Sequence, residues 1–311
     1  MRCPVDRRST LAKPFEYDCV AMNKLIVGGV PEHFNLPWNL VAASNAFRSL
    51  GVEVEWRDFP EGTGAMMRAV EANEVDVALV LTEGAVAHIA KNGTTGIIGT
   101  WVESPLVWGI HSGPKTQKGP QYPHDARIGI SRLGSGSHLM PLVHAQQDRY
   151  TEAPKLVEIK TLAGAIEAFA NDEIDTFYWE RTMTLPQVRA GQMTLDGDFS
   201  APWPAFVAVR AKNSQPHVDA AWEKAITAMK TWLTELLSDR QAFLKLVGER
   251  FDLPEEEVAI WFARTVWAPS LKVDPAALQR AAKGLVAAGV LEERVSPQSL
   301  MISPGVLGEP R

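Results

Sequence analysis

Cysteine is almost absent. Cys3 and Cys19 both precede Met22, and the remaining chain has none. A disulfide framework and a cysteine-ligated metal are therefore excluded from the body of the protein, and this usage suits a reducing compartment. Long apolar runs are missing too. None approaches the roughly 18 to 20 residues that span a bilayer, so no membrane insertion is expected. Positive charge is in deficit: 31 Lys and Arg face 37 Asp and Glu, for a formal charge of −6. A surface for nucleic acid wants clustered cations, so no nucleic-acid partner is expected. No Gly-Lys-Ser/Thr ending marks a phosphate loop. No Gly-x-Ser-x-Gly elbow is present, since "GSGSH" is offset from it. His138 and His144 are six apart, which is not a same-face metal pair. No cofactor and no metal are expected.

What is present is a 311-residue chain that is 46% apolar and 22% charged, enough for one large or two small domains with a buried core. Residues 1–21, "MRCPVDRRSTLAKPFEYDCVA", lack the apolar run of a secretory signal, and Asp6, Glu16 and Asp18 count against a transit peptide. They read as a disordered extension. The expected location is cytoplasmic, or periplasmic if the start of the gene is misassigned. From Met22 on, strand-like and helix-like segments alternate, which indicates α/β architecture. "KLIVGGV", "VALVL", "TGIIGTWV", "RIGIS", "TFYWE" and "FVAVR" read as strands, and "WNLVAASNAFRSLG" (38–51) and "GTGAMMRAVEANEVD" as helices. "PKTQKGPQYPHD" (114–125) reads as an exposed loop, and the chain is mostly helical after Gln215.

An internal echo stands out. "AVEANEVDVALVLTEG" (69–84) parallels "AFANDEIDTFYWER" (168–181): a helix end, an acidic turn at Asp76 or Asp175, and a short strand leading to Glu83 or Glu180. Upstream of each lies a glycine-hydroxyl helix start, "EGTGAM" and "LGSGSHLM". Two similar lobes facing each other would produce this pattern. The first N–H groups of a helix have no intrahelical partner and carry the positive end of its dipole. Glycines let a ligand approach them, and Arg132 adds a charge that grips a carboxylate, sulfonate or phosphate. "SRLGSGSHLM" therefore suits an anionic ligand group. Ordinary capping by Ser and Gly remains the alternative.

The stretches "GGVPEHF", "PEGTGAM", "EVDVALVLTEG", "GTWVESPLVWGIHSG", "IGISRLGSGSHLM", "FYWER" and "APWPAF" (about residues 24–210) resemble the type II periplasmic-binding-protein fold. The likeness is to its nitrate, sulfonate, taurine and thiamine-pyrimidine-precursor branch, within a poorly characterised subgroup lacking a secretion signal. The resemblance implies a two-lobed α/β clamshell with extra C-terminal helices. Lobe 1 would be residues 22–105 plus 203–250, and lobe 2 residues 106–202. Residues 251–311 would pack on lobe 1. The crossings near "VESPLVWG" and "FSAPWPAF" would form the hinge. Carried over, the resemblance implies a cleft lined by His33, Phe34, Gly62, Thr63, Gly64, Thr82, Glu83, Glu103, Arg132, Ser135, Gly136, Ser137, His138, Trp179, Glu180 and Trp203. For Trp179 and Trp203 the core is the alternative and the commoner fate of Trp, and for Glu83 and Glu180 the alternative is a helix-start carboxylate favoured by the dipole.

Three function classes follow. The first is non-catalytic binding of a small polar or zwitterionic ligand, a heteroaromatic one included, with hinge closure, like a transporter's substrate-binding protein. The second is an enzyme on the same fold, acting on a nucleoside-like or thiamine-precursor-like substrate with a cleft carboxylate as acid or base. A pyridoxal-phosphate synthase is disfavoured, because the expected cleft holds no lysine; Lys91, Lys115 and Lys118 are peripheral. The third is a regulator's effector domain, disfavoured because "FDLPEEEV" would repel phosphates. The expected partner is a small molecule, with a homodimer through the C-terminal helices, around Trp261, Phe262 and Trp267, as a further expectation.

Overall fold

The computed structural model describes residues 22–114, 126–147, 154–293 and 295–302. The expectations for residues 1–21 and for all but the first residue of the 114–125 loop lie outside them.

In chain order, β1 (Asn23–Gly29), α1 (Leu36–Ser44), β2 (Val52–Asp58), α2 (Thr63–Glu71), β3 (Val77–Leu81), α3 (Thr82–Asn92) and β4 (Thr95–Val102) build the first lobe. β1 lies between β2 and β3, parallel to both. β4 is buried throughout and β3 as far as Val80, which is why they read as unbroken apolar runs, whereas β2 at the edge of the sheet alternates. The expected helix over 38–51 is shorter: α1 ends at Ser44 because Asn45 turns left-handed (φ 53°), and Gly51 (φ 74°) closes a 3-10 turn before β2.

The chain then crosses to β5 (Trp108–Ser112), β6 (Arg127–Ile130), α4 (Gly136–Gln147), β7 (Lys155–Glu158), α5 (Leu162–Ala170), β8 (Thr176–Glu180), α6 (Leu185–Arg189) and β9 (Thr194–Phe199). It returns as β10 (Phe206–Ala211), which inserts antiparallel between β3 and β4. α7 (Pro216–Leu236) follows, and its buried face, including Trp222 stacked on Trp38 at 5.5 Å, packs on the first lobe. α8 (Arg240–Phe251), α9 (Glu255–Arg264), β11 (Trp267–Ser270), α10 (Pro275–Ala287) and α11 (Pro297–Leu300) complete the described chain.

The two sheets run β11-β4-β10-β3-β1-β2 and β7-β6-β8-β5-β9. Leaving out β11, the second order repeats the first: a parallel trio, then two antiparallel strands. The acidic turns of the echo do the same job in each lobe. Asp76 Oδ2 accepts the Ile26 amide at 2.7 Å while the Asp76 amide donates back to the Ile26 carbonyl; Asp175 does the same to Arg127. The rest of the echo is displaced. α2 follows the second strand of its trio and α4 the first, so the two glycine-hydroxyl helix starts are not equivalent. Counted five residues on from each Asp, Glu180 matches Leu81, not Glu83.

The two crossings lie side by side, with the Ala205 amide donating to the Ser104 carbonyl at 3.0 Å. The C-terminal elements do more than pack on lobe 1. β11 pairs with β4, but Arg181 of lobe 2 pairs with Glu257 on α9 at 3.2 Å, Arg264 with Asp198 at 3.7 Å, and Arg189 donates to the Asp252 carbonyl. They strap the lobes together. Trp261 is buried, and the half-buried Phe262 and Trp267 pack on it and on Phe243. No described helix is long and apolar enough to cross a membrane.

Candidate functional site

A cavity of about 650 Å³, counting the space open at its mouth, lies between the lobes. It is walled by residues that follow the C-terminal ends of both parallel trios, where open α/β sheets leave their crevice. From lobe 1 come Glu32 after β1, Gly62 and Thr63 after β2, and Leu81 at the end of β3; from lobe 2, Arg132 and Ser135 after β6, Lys160 after β7, and Trp179 and Glu180 on β8.

One end is basic. α2 starts at Gly62, whose φ of 76° favours glycine, and no side chain caps it. Its first N–H groups therefore point outward with the positive end of the dipole. Arg132 reaches over from the other lobe. A methyl group on Gly64 would lie 3.3 Å from Arg132 Nε, and one on Gly62 3.4 Å from a terminal nitrogen, so these glycines let the guanidinium lie against the helix start. Among the described residues no hydrogen bond or ion pair engages that guanidinium. Burial and the nearby Arg68 charge lower its pKa, against the pull of Glu61 and Glu158.

The α4 start is held by its own hydroxyls. Ser137 Oγ accepts the Ser131 amide at 2.9 Å, Ser135 Oγ donates to the Arg132 carbonyl at 2.7 Å, and the two hydroxyls meet at 3.0 Å. Ser135 and Ser137 thus reach the cavity wall while fixing the turn that carries Arg132. His138 does not reach the wall; its Nδ1 accepts the Gly134 amide. Gly136 is required, because any Cβ there would overlap the Trp108 ring. Trp108 forms an apolar wall with Leu81, Leu106 and Phe206.

The other end is acidic. Glu180 is buried, and one of its oxygens accepts the Met183 amide at 2.7 Å. Burial pushes its carboxyl up to about 7, with the Met183 and Thr182 donors and, least, the Arg181 charge opposing. Burial and the Glu180 charge push Glu32 up to about 8. Behind Glu180, His33 Nε2 lies 3.8 Å away; burial lowers this imidazole to about 3, so it is neutral.

Of the expected cleft residues, Gly62, Thr63, Arg132, Ser135, Gly136, Ser137, Trp179 and Glu180 share this cavity. Gly64 sits beside it under Arg132. The others lie elsewhere. His33 is packed among Phe34, Phe251 and Trp261. Phe34 fills the core between Phe206 and Trp261. Thr82 Oγ1 donates to the Pro204 carbonyl, tying α3 to the return crossing. Glu83 and Trp203 are buried together, Trp203 Nε1 donating to Glu83 Oε2 at 3.0 Å. Glu103 is exposed on the outgoing crossing, its amide donating to Val266. Glu83 points away because it lies past the strand end, inside the first turn of α3. The expectation of a lysine-free cleft is corrected by Lys160, whose left-handed backbone (φ 66°) sets it at the mouth. Glu32, Lys160 and Trp108 were missed; their signal is position, the loops just past β1 and β7 and the first residue after the crossing. No group of three or more His, Cys, Asp or Glu among the described residues is placed to hold a metal.

Residues 108–189, within the second lobe, match the family of Ca3427-like periplasmic binding proteins. No curated protein matches the sequence. The Candida albicans CA3427 gene product, described as defining a family with the generic periplasmic-binding-protein fold, superposes with a TM-score of 0.83 at 22% identity, covering 90% of this chain and 96% of its own. The alkanesulfonate-binding protein SsuA of Xanthomonas axonopodis pv. citri, bound to MOPS, gives 0.73 at 15% identity over 91% and 99%. The aliphatic sulphonate-binding SsuA of Escherichia coli gives 0.66 at 15% over 93% and 94%. The chain thus has the two-lobed type II periplasmic-binding-protein fold expected from its sequence, with added C-terminal helices.

Proposed function

We propose that this protein is a non-catalytic binder of a small organic anion, polar or zwitterionic, held between the lobes and enclosed by hinge closure. The observation that carries this is the Arg132 guanidinium, unengaged among the described residues, lying across the cleft against the uncapped start of α2. An anionic group there would take charge-assisted bonds from both lobes at once, which is what makes a ligand favour the closed form. The apolar wall of Trp108 and Phe206 suits an aliphatic or flat-ring body. The sulfonate carried by MOPS in a protein of the same fold agrees with an anionic head group.

The test is native mass spectrometry of gently purified protein against its denatured mass. A reproducible added mass of small-molecule size, displaced by organic sulfonates or carboxylates, supports the reading. Bare protein that takes up none of a panel of such anions counts against it. One observation favours a second reading: burial raises the Glu32 and Glu180 carboxyls towards neutral pH on the cavity wall, which suits a general acid. An enzyme acting on a nucleoside-like or thiamine-precursor-like substrate would release a changed product from the same panel, where a binder returns its ligand intact.

A further inference from the structure

The acidic end of the cavity has no part in gripping an anion, and it is built across the lobe boundary. Glu180 of lobe 2 faces Glu32 and His33, which are consecutive in lobe 1. The surrounding charges do not neutralise the pair. His33 is neutral and, among the described residues, has no hydrogen-bond partner at either ring nitrogen. Arg181, next in sequence, pulls on Glu180 as the smallest of its influences, because its guanidinium is committed to Asp198 on β9 and Glu257 on α9, at 3.2 Å each; Arg264 on α9 also serves Asp198. Arg132 and Lys160 line the same cavity from the β6–α4 and β7–α5 turns, with Glu61 beside them on the β2–α2 turn and Arg68 on α2 adjoining. No ion pair within 4 Å links a cation of the described residues to Glu32, and only the neutral His33 comes that close to Glu180. Two carboxyls sharing a low-dielectric wall with no cation paired to either retain a proton between them.

We propose that the Glu32–Glu180 end receives a protonated nitrogen of the ligand, so that the protein selects molecules bearing an acidic group at one end and an amine or amidine-type cation at the other, and that binding expels a proton from the carboxyl pair. This rests on the reading that the acidic group sits at Arg132. The ligand cation supplies the charge the walls lack, and the displaced proton goes to solvent. Affinity for a doubly charged ligand then rises with pH as the pair ionises, because less proton must be expelled. Affinity for an anion without the nitrogen falls over the same range, because the pair's growing negative charge opposes it.

The experiment is calorimetric titration of the full chain with 3-aminopropanesulfonate and with propanesulfonate, at pH 6.0 and 8.5, each in two buffers of different ionisation enthalpy. The amine of the first probe stays protonated throughout. The expected result is affinity for the aminosulfonate rising by about tenfold between the two pH values, with roughly one proton released at neutral pH, while propanesulfonate weakens. Glu180→Gln keeps an acceptor for the Met183 amide and should erase both the preference and the opposite pH slopes. Equal affinity and parallel slopes for the two probes overturn this proposal while leaving anion binding in place. Binding of neither probe at tens of millimolar overturns both readings.

Discussion

Glu83→Gln tests whether the pairing of Glu83 with Trp203 is structural. Glu83 is buried; one oxygen accepts the Trp203 indole N–H and the other has no hydrogen-bond partner among the described residues. Burial pushes this carboxyl from 4.5 to about 7, against the opposing pull of its own helix amide and Trp203. The folded chain therefore binds the proton more tightly than the unfolded chain. Below pH 4.5 the group is neutral in both states and its stability contribution is fully present. As pH rises through 4.5 to 7 the unfolded chain gives up its proton first, and stability is lost across that window. The shift corresponds to about 3 kcal/mol by pH 8. Glutamine keeps the acceptor for Trp203, and its amide N–H₂ occupies the place of the acid's O–H, which has no better partner. The variant should match the parent at pH 4.5 and exceed it by about 3 kcal/mol at pH 8, read by urea unfolding followed through tryptophan fluorescence. A difference independent of pH, or a variant less stable than the parent at pH 8, would refute the reasoning.

Gly136→Ala forces a methyl group into the Trp108 ring, and should lower stability by about 1–3 kcal/mol and weaken anion binding, measurable by thermal denaturation and titration. Asp76→Ala removes the acceptor of the Ile26 amide and should cost about 1–3 kcal/mol; a change within error would show that the turn does not depend on it. Glu257→Gln releases Arg181 from α9 and should loosen the C-terminal strap, read as a larger radius of gyration in solution scattering and a faster ligand off-rate.

Much of the fold was legible because buried parallel strands read as apolar runs and their edges as alternation. β11 was not, since "WAPS" is short and carries a proline. The echo pointed to two lobes, and Asp76 and Asp175 prove equivalent. It misled on Glu83, because a carboxylate two residues past a strand end has turned into a helix. At the site, turn chemistry pointed to Gly62 and Arg132, and the echo to Glu180; all three line the cavity. It could not choose between neighbours: Glu32 faces the cavity while His33, one residue on, points into the aromatic core. Nor could it foresee that Glu83 and Trp203, 120 residues apart, satisfy each other.

The central claim is that Arg132 closes the anion end of an interlobe site. It is tested most directly by titrating the parent and the Arg132→Ala variant with propanesulfonate at pH 6.0, with thermal unfolding of both as a control. The account predicts a loss of at least about tenfold in affinity, the worth of a charge-assisted contact, with an unchanged unfolding temperature. Equal affinity in the two proteins, both folded, would contradict it.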